Sequence, residues 1–377
     1  MSTNALYCGS FDPVTLGHMD IIKRACAMFD FVEVAIGENP SKKCMFTFDE
    51  RVLMMETALR LLGASVAGKV GLARRPVKIL TADHARMYGF DVIIKGARTG
   101  QDFDYEKLIH EVSITQQRKI DTILLFSSAN LGHVSSSAAK ELAKYQGLVH
   151  EYVPIHVKAA IEVKLNRRIV GVTGTIGSGK STICKMAANG KTIHHVNMDL
   201  IAHELLTCKL PIADETRNYI KAEFGTIDRA ELGKIVFNDK SKLNKLNAIY
   251  KEPLLTLLRD KLSGLTGTIL LEGALLVELD WLFLCNNDVI LVKTPSRVEH
   301  YDRLAKRGYL PEQIENRISS QYTYEEKYDK IMNSINKDLC GRCMVVDTEE
   351  KDLNIKLIES LSAINFVDNI STIHNVI

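Results

Sequence analysis

Gly174, Gly179, Lys180 and Ser181 stand at the spacing G-x-x-x-x-G-K-[ST] within the stretch GTIGSGKST. Glycines so placed let successive backbone N–H groups turn toward one anion. The lysine then reaches the outer phosphates of a nucleoside triphosphate, and the hydroxyl after it ligates Mg²⁺. The segment predicts a triphosphate cradle made by Gly177, Ser178, Gly179, Lys180, Ser181 and Thr182, with Ser181 as the metal ligand. An apolar run, RRIVGV, leads into the motif and an amphipathic segment leads out, the strand–turn–helix setting that the chemistry requires.

A second glycine-rich turn, YCGSFDPVTLGH, puts Thr15, Gly17 and His18 at the opening of an amphipathic run. A histidine at a helix start is also a common cap. Here, however, strand, tight turn and helix N-terminus together form an anion cradle with the imidazole above it. Further clusters follow other strand-like runs: Lys42 and Lys43, then Lys95, Arg98 and Glu106, then Ser135, Ser136 and Ser137 at another helix start. Each alone reads as a solvated charge or a serine cap. Placed together at carboxyl ends of strands, they converge on one crevice with His18.

Farther along, Asp199 in HVNMDLIAHELL follows a strand beside the phosphate loop. A carboxylate there takes a proton from an alcohol, caps the helix or joins the Mg²⁺ shell. Arg303, Arg307 and Arg317 lie on a strongly charged amphipathic stretch, either a solvated face or a lid whose arginines neutralise a transferring phosphoryl group.

The elements that must hold these residues alternate. ALYC, FVEVAI, VKIL, DVIIK and TILLF read as strands, with GHMDIIKRACAMF, TFDERVLMMETALRLL and FDYEKLIHEVSITQQRK as helices between them. RRIVGV, TILLEG, DVILVK and MVVDT repeat the logic, with a long helical stretch over about 209–263 inserted. Continuous Val/Ile/Leu runs belong to parallel strands buried on both faces. The expected fold class is α/β, two doubly wound parallel sheets, with domains at 1–166 and 167–377 and no flexible linker between them. The charge balance of 48 basic against 46 acidic residues, net +2, gives no polyanion-binding surplus, so nucleic acid is not the expected partner. With neither a secretory leader nor an apolar run of about 18 residues, no membrane partner is expected and the chain reads as cytoplasmic. Cys340 and Cys343 form a C-x-x-C pair that lacks the second pair zinc would want and does not open a helix, so it reads as structural.

VGVTGTIGSGKST, NMDLIAHELL, LLEGALLVE, RLAKRG, RISSQ followed by Lys327, and MVVDT resemble the dephospho-CoA kinase family over most of 168–365. The resemblance implies a P-loop kinase with a helical insertion and a lid. In it Asp199 is the base on the ribose 3′-hydroxyl, and Arg303 and Arg307 join the nucleotide site. Departures lie on the acceptor side: Asn197 stands where that family has an acid, Glu252 where it has His, Glu272 and Ala274 where it has Asp and Pro, and Asp347-Thr348 where it has Asp-Asn. The stretch 5–165 resembles bacterial-type phosphopantetheine adenylyltransferases, a Rossmann-like nucleotidyltransferase family. That resemblance implies that Ser10, Phe11, His18, Gly96, Ala97, Arg98, Glu106 and Leu131, Gly132, His133, Val134, Ser135, Ser136 and Ser137 contact ATP. It implies too that Ser10, Lys42, Thr81 and Lys95 hold 4′-phosphopantetheine, Lys95 replacing the usual arginine, and that the chain forms a homo-hexamer.

Taken together, His18, Lys42, Arg98, Lys180 and Asp199 are the expected catalytic groups, with Mg²⁺ as cofactor and ATP as co-substrate of both reactions. The expected substrates are 4′-phosphopantetheine and dephospho-CoA, consumed in the last two steps of coenzyme A synthesis. Two other readings stay open: a different phosphorylated acceptor for the first half, and a second half that binds nucleotide and regulates without turnover.

Overall fold

The computed structural model describes residues 3–38, 42–116, 120–236, 239–293 and 296–348. Two compact units part between Lys164 and Leu165. The end of the second expected domain, 349–377, lies outside the described residues.

The first unit runs β1 (Asn4–Gly9), α1 (Leu16–Met28), β2 (Phe31–Ile36), α2 (Phe48–Leu62), β3 (Val70–Leu72), α3 (Thr81–Tyr88), β4 (Val92–Ala97), α4 (Gly100–Thr115), β5 (Asp121–Phe126), α5 (Ser136–Lys144) and α6 (Ile155–Lys164). Its strands are all parallel in the order β3-β2-β1-β4-β5. Ala5 to Cys8 of β1 are buried because helices cover both faces. The chain leaves β1 toward β2 on one side and returns as β4 on the other. The crevice at the carboxyl ends of β1 and β4 is therefore the topological switch point, and the turn that follows Gly9 lies there.

One expected strand differs. In VKIL only Val77 pairs, bridging to Gly37, while Ile79 and Leu80 are about half exposed, at 48% and 47%. Beyond this bridge the chain turns into α3. The third strand is instead the short Val70–Leu72, where Gly71 leaves room for the Phe31 ring that a Cβ would meet at 2.7 Å.

The second unit runs β6 (Arg167–Thr173), α7 (Lys180–Ala187), β7 (Ile193–Asn197), α8 (Met198–Thr207), α9 (Pro211–Phe224), α10 (Arg229–Val236), α11 (Lys240–Leu262), β8 (Gly267–Glu272), β9 (Asp288–Val292), α12 (Arg297–Ala305), α13 (Pro311–Ser319), α14 (Tyr324–Asp338) and β10 (Arg342–Val346). The sheet order is β10-β9-β6-β8-β7, again all parallel. All of β9 is buried. The switch point here flanks β6, whose carboxyl end opens into the 174–179 loop. The inserted helical stretch resolves into α9, α10 and α11. Both sheets are doubly wound, as the alternation of apolar and amphipathic runs predicted.

Candidate active sites

In the first unit the turn after β1 is fixed from several sides. Asp12 is 2% exposed and accepts from the Met45 and Phe46 N–H groups (3.0 and 2.9 Å) and from Lys140 Nζ (2.7 Å). Burial works to raise its carboxyl, but the Lys140 and backbone hydrogen bonds outweigh this and hold it below the usual range. Arg51, 3% exposed, donates to the Ser10 and Gly37 carbonyls at 2.8 and 3.2 Å, and Ser136 Oγ donates to the Pro13 carbonyl at 2.7 Å. Phe11 adopts φ 43°, a costly conformation outside glycine, while its ring is buried edge-on to Tyr7 and His18.

Thr15 caps α1, its Oγ1 accepting from the His18 N–H while its own N–H donates to His18 Nδ1 at 3.0 Å. Cap and functional readings of His18 are thus one geometry. With Nδ1 accepting, the neutral ring carries its proton on Nε2. Burial, with the charges of Arg98 and Lys42, lowers the imidazole to about 4. His18 is accordingly a neutral donor, and the positive charge of the crevice resides in Lys42 and Arg98.

Lys42 Nζ donates to Ser10 Oγ at 3.3 Å. Arg98 is clamped by Asp102 and reaches the Val134 carbonyl at 3.3 Å, which ties the end of β4 to the turn before α5. Ser135 caps α5, with Gly132, His133 and Ser137 exposed beside it. Gly96 is packed so that a Cβ would meet Ile21 at 3.2 Å. Lys95 pairs with Glu106 at 3.3 Å, so two residues expected on different ligands meet each other. Burial raises the Cys8 thiol against the opposing Lys95 charge and a Thr81 hydrogen bond.

In the second unit, Gly174, Gly177 and Gly179 take φ 150°, 79° and 105°, and a Cβ on Gly174 would approach the Val292 carbonyl to 2.6 Å. Lys180 Nζ donates to the Gly174 and Thr175 carbonyls at 3.1 and 2.8 Å, closing the loop on itself. Burial lowers its ammonium to about 8 against the opposing pull of Asp199 and Glu272. Among the described residues, the buried Ser178 Oγ has no hydrogen-bond partner. Gln321 Oε1 accepts from the Ile176 N–H at 2.9 Å, and His300 bonds the Ile176 carbonyl, so residues beyond β9 brace the loop. Ser181 Oγ donates to Glu272 Oε1 at 2.6 Å, and Thr182 is exposed.

Asn197, not Asp199, caps α8. Asp199 stands exposed in the first turn and lines a cavity of about 200 Å³ with Arg317, Met198, Tyr250, Leu276 and Trp281. Arg307 acts electrostatically on Lys180, whereas Arg303 donates to Thr348 Oγ1 at 3.3 Å, and that hydroxyl donates to the Ser178 carbonyl.

Sequence reasoning missed Glu272 as a site residue. It is 2% exposed and accepts from Ser181, from Asn197 Nδ2 (2.7 Å) and from His195 Nε2 (2.8 Å). Burial raises its carboxyl, but the His195 and Ser181 hydrogen bonds prevail and hold it below the usual range. Its position at the carboxyl end of β8 was the available signal. Also missed was Lys327, fully buried, which donates to the Ala274 carbonyl (2.8 Å) and to both oxygens of Glu278 (2.6 and 2.7 Å). Cys340 and Cys343 are not joined in a disulfide; Cys340 precedes β10 and Cys343 is its second residue.

Comparison with known proteins divides the chain the same way. A dephospho-CoA kinase family profile matches residues 168–338 and a cytidylyltransferase-like profile matches 6–142. The phosphopantetheine adenylyltransferase of Desulfitobacterium hafniense (strain Y51) is 38% identical over 166 residues, 44% of this chain and 97% of that protein. That of Synechococcus elongatus is 38% identical over 159 residues, 42% of this chain and 91% of that protein. The solved structure of TT1252 from Thermus thermophilus is 26% identical, with a TM-score of 0.41 over 53% of this chain and 97% of that one. Through its N-terminal half the chain belongs to the phosphopantetheine adenylyltransferase family, and it continues into a fused dephospho-CoA kinase domain.

Proposed function

We infer that this chain performs the last two steps of coenzyme A synthesis, first adenylylating 4′-phosphopantetheine and then phosphorylating the dephospho-CoA so formed. What carries the reading is that one chain joins two families of which the first yields the substrate of the second. ATP is co-substrate in both steps.

In the first step an oxygen of the phosphopantetheine phosphate, already anionic at neutral pH, attacks the α-phosphorus of ATP. The Pα–O bond to the β-phosphate breaks and pyrophosphate leaves, so no general base is needed. Ser10, Lys42, Thr81 and Lys95 hold the phosphopantetheine, the two lysines facing its phosphate. His18 Nε2–H donates to the charge developing on the α-phosphoryl oxygens, Arg98 neutralises it, and the turn before α5 cradles the outgoing phosphates. Phe11, the 96–97 backbone, Glu106 and residues 131–137 border the nucleotide.

In the second step the nucleophile is a neutral ribose 3′-hydroxyl, and Asp199 accepts its proton. The cavity beside Asp199 holds the acceptor. The 177–182 backbone and Lys180 take the triphosphate, and Arg303 and Arg307 close on the transferring phosphoryl. Ser181 and Glu272, a hydroxyl and a carboxylate oxygen 2.6 Å apart at the start of α7, form a hard-oxygen pair suited to Mg²⁺. When bound, that ion balances charge on the β- and γ-phosphates. We place the chain in the cytoplasm, where ATP is abundant. Among the described residues no helix is long and apolar enough to cross a membrane. The resemblance of the first unit leads us to place self-association there.

The test is a one-pot reaction of phosphopantetheine, ATP and Mg²⁺ with the full chain, separating dephospho-CoA from CoA. His18→Ala yields neither product, and Lys180→Ala stops at dephospho-CoA. Absence of ADP from the wild type given dephospho-CoA, with nucleotide still bound, overturns the second activity in favour of a regulatory half.

A further inference from the structure

We propose that Cys184, His195 and Glu272 form a binding site for a thiophilic divalent cation, Zn²⁺ foremost, whose occupancy switches off the phosphorylation step. One ligand atom from each residue lies within 4.8 Å of the other two. The three come from separate elements: Cys184 from the middle of α7, His195 from β7 and Glu272 from the end of β8. Thiolate, imidazole and carboxylate are the donor types that Zn²⁺ takes, whereas Mg²⁺ takes oxygen alone. Three protein ligands leave a fourth position for water or a phosphate oxygen.

Packing alone explains a buried cysteine at 184, which sits among Val170, Ile183, Leu270 and Ile290. Packing does not explain why its thiol faces a charged carboxylate. The thiol and the carboxylate instead stand within 4.8 Å of each other and of the imidazole, an arrangement that a cation bound between them would join. His195 has 18% of its side chain exposed and gives the ion an entry, while Glu272 is anionic already. Binding releases one proton from Cys184 to solvent and exchanges the His195–Glu272 hydrogen bond for bonds to the ion. The carboxylate is then drawn from Ser181, its 2.6 Å partner. The inhibitory effect rests on the role proposed above for Ser181 and Glu272; the binding itself does not.

The experiment therefore reads binding separately from activity. The full unliganded chain is titrated anaerobically with Co²⁺, as a spectroscopic substitute for Zn²⁺, in excess Mg²⁺. We expect a thiolate-to-cobalt charge-transfer band that saturates at one ion per chain. Cys184→Ala abolishes it, and the double variant Cys340→Ser/Cys343→Ser retains it. His195→Gln, which keeps a donor to Glu272 but removes the ring ligand, weakens it even should Cys184→Ala fold poorly. Phosphorylation is then followed with S-methylated dephospho-CoA, so that the substrate thiol takes up no metal, each variant scored against its own zinc-free rate. Half-inhibition by Zn²⁺ moves up at least about tenfold in Cys184→Ala. No band, or one that survives Cys184→Ala, overturns the site; equal inhibition of wild type and Cys184→Ala overturns the switch.

Discussion

Asn197 and Glu272, two of the positions noted in the sequence as differing from the kinase-like pattern, are hydrogen-bonded to each other in the structure. The longer Glu272 reaches the Asn197 amide at 2.7 Å; an aspartate there would set carboxylate against carboxylate. Asn197→Asp alone is therefore expected to slow phosphorylation of dephospho-CoA at neutral pH, and adding Glu272→Asp, which shortens the partner, to restore part of the rate. The coupling in a double-mutant cycle on kcat is expected at about 0.5–3 kcal/mol; strict additivity would show the pair to be independent. At His18 the sign runs the other way from a cationic catalyst. Its folded pKa of about 4 lies below the ordinary 6.5, so across that window the unfolded chain binds more protons. This group consequently costs stability as pH falls from 6.5 toward 4 and nothing above it. The acid limb of adenylyl transfer then follows the second ionisation of the substrate phosphate, near about 6. His18→Gln is expected to lower kcat by about 10²–10³ and leave that limb in place; a limb that vanished in the variant would show the imidazole titrating. The phosphate-loop residues and His18 were legible from spacing because each motif is local. Glu272 was visible only as an odd residue, since its partners Ser181, His195 and Asn197 lie 75 to 91 positions away and meet it only through the sheet.

At the scale of elements, the first site depends on a turn that is not itself regular structure. Asp12 joins that turn to the segment carrying Lys42 by accepting from Met45, Phe46 and Lys140. Asp12→Ala leaves two backbone donors without their acceptor, at about 1–3 kcal/mol, to be read in urea unfolding. The same variant should raise KM for phosphopantetheine, because Lys42 loses its anchor. Because the Asp12 carboxyl is held below the usual range, its contribution is present above the unfolded value of 3.8 and is lost as pH falls below it. In the second unit the cavity proposed to take the acceptor is walled by α8, α10 and α11. Ala202→Leu, which fills it, is expected to raise KM for dephospho-CoA several-fold with KM for ATP unchanged; equal change in both would place the acceptor elsewhere. The strong strands were readable because burial on both faces writes an unbroken apolar run. VKIL carried the same signature without a partner strand to pair with, while Val70–Leu72 was too short and too polar in its surroundings to announce itself.

On the scale of the whole molecule, the two units each own a five-stranded sheet and a core, and a net charge of +2 leaves association to apolar surface. One such surface is conspicuous. Along α4, Tyr105, Leu108, Ile109 and Val112 recur at the spacing of a single helix stripe, with exposures of 59%, 56%, 36% and 43%, and only Ser113 of that helix is buried. The stripe is the amphipathic pattern turned outward. Phe126, 61% exposed, ends β5, an edge strand of its sheet. An exposed apolar stripe is what a protein covers with a partner, and the partner proposed above is a second copy of this chain. Light scattering of the full chain is accordingly expected to give a multiple of the chain mass, and Leu108→Glu/Val112→Glu to reduce it. The double variant should lose adenylyl transfer as well, since Glu106, Asp102 and through it Arg98 are held by the same helix. Phosphorylation of added dephospho-CoA should persist, because the phosphate loop and its sheet belong to the other unit. A wild-type chain that is monomeric at working concentration would mean that some other surface explains this face, and loss of both activities together would mean that the variant has unfolded rather than dissociated.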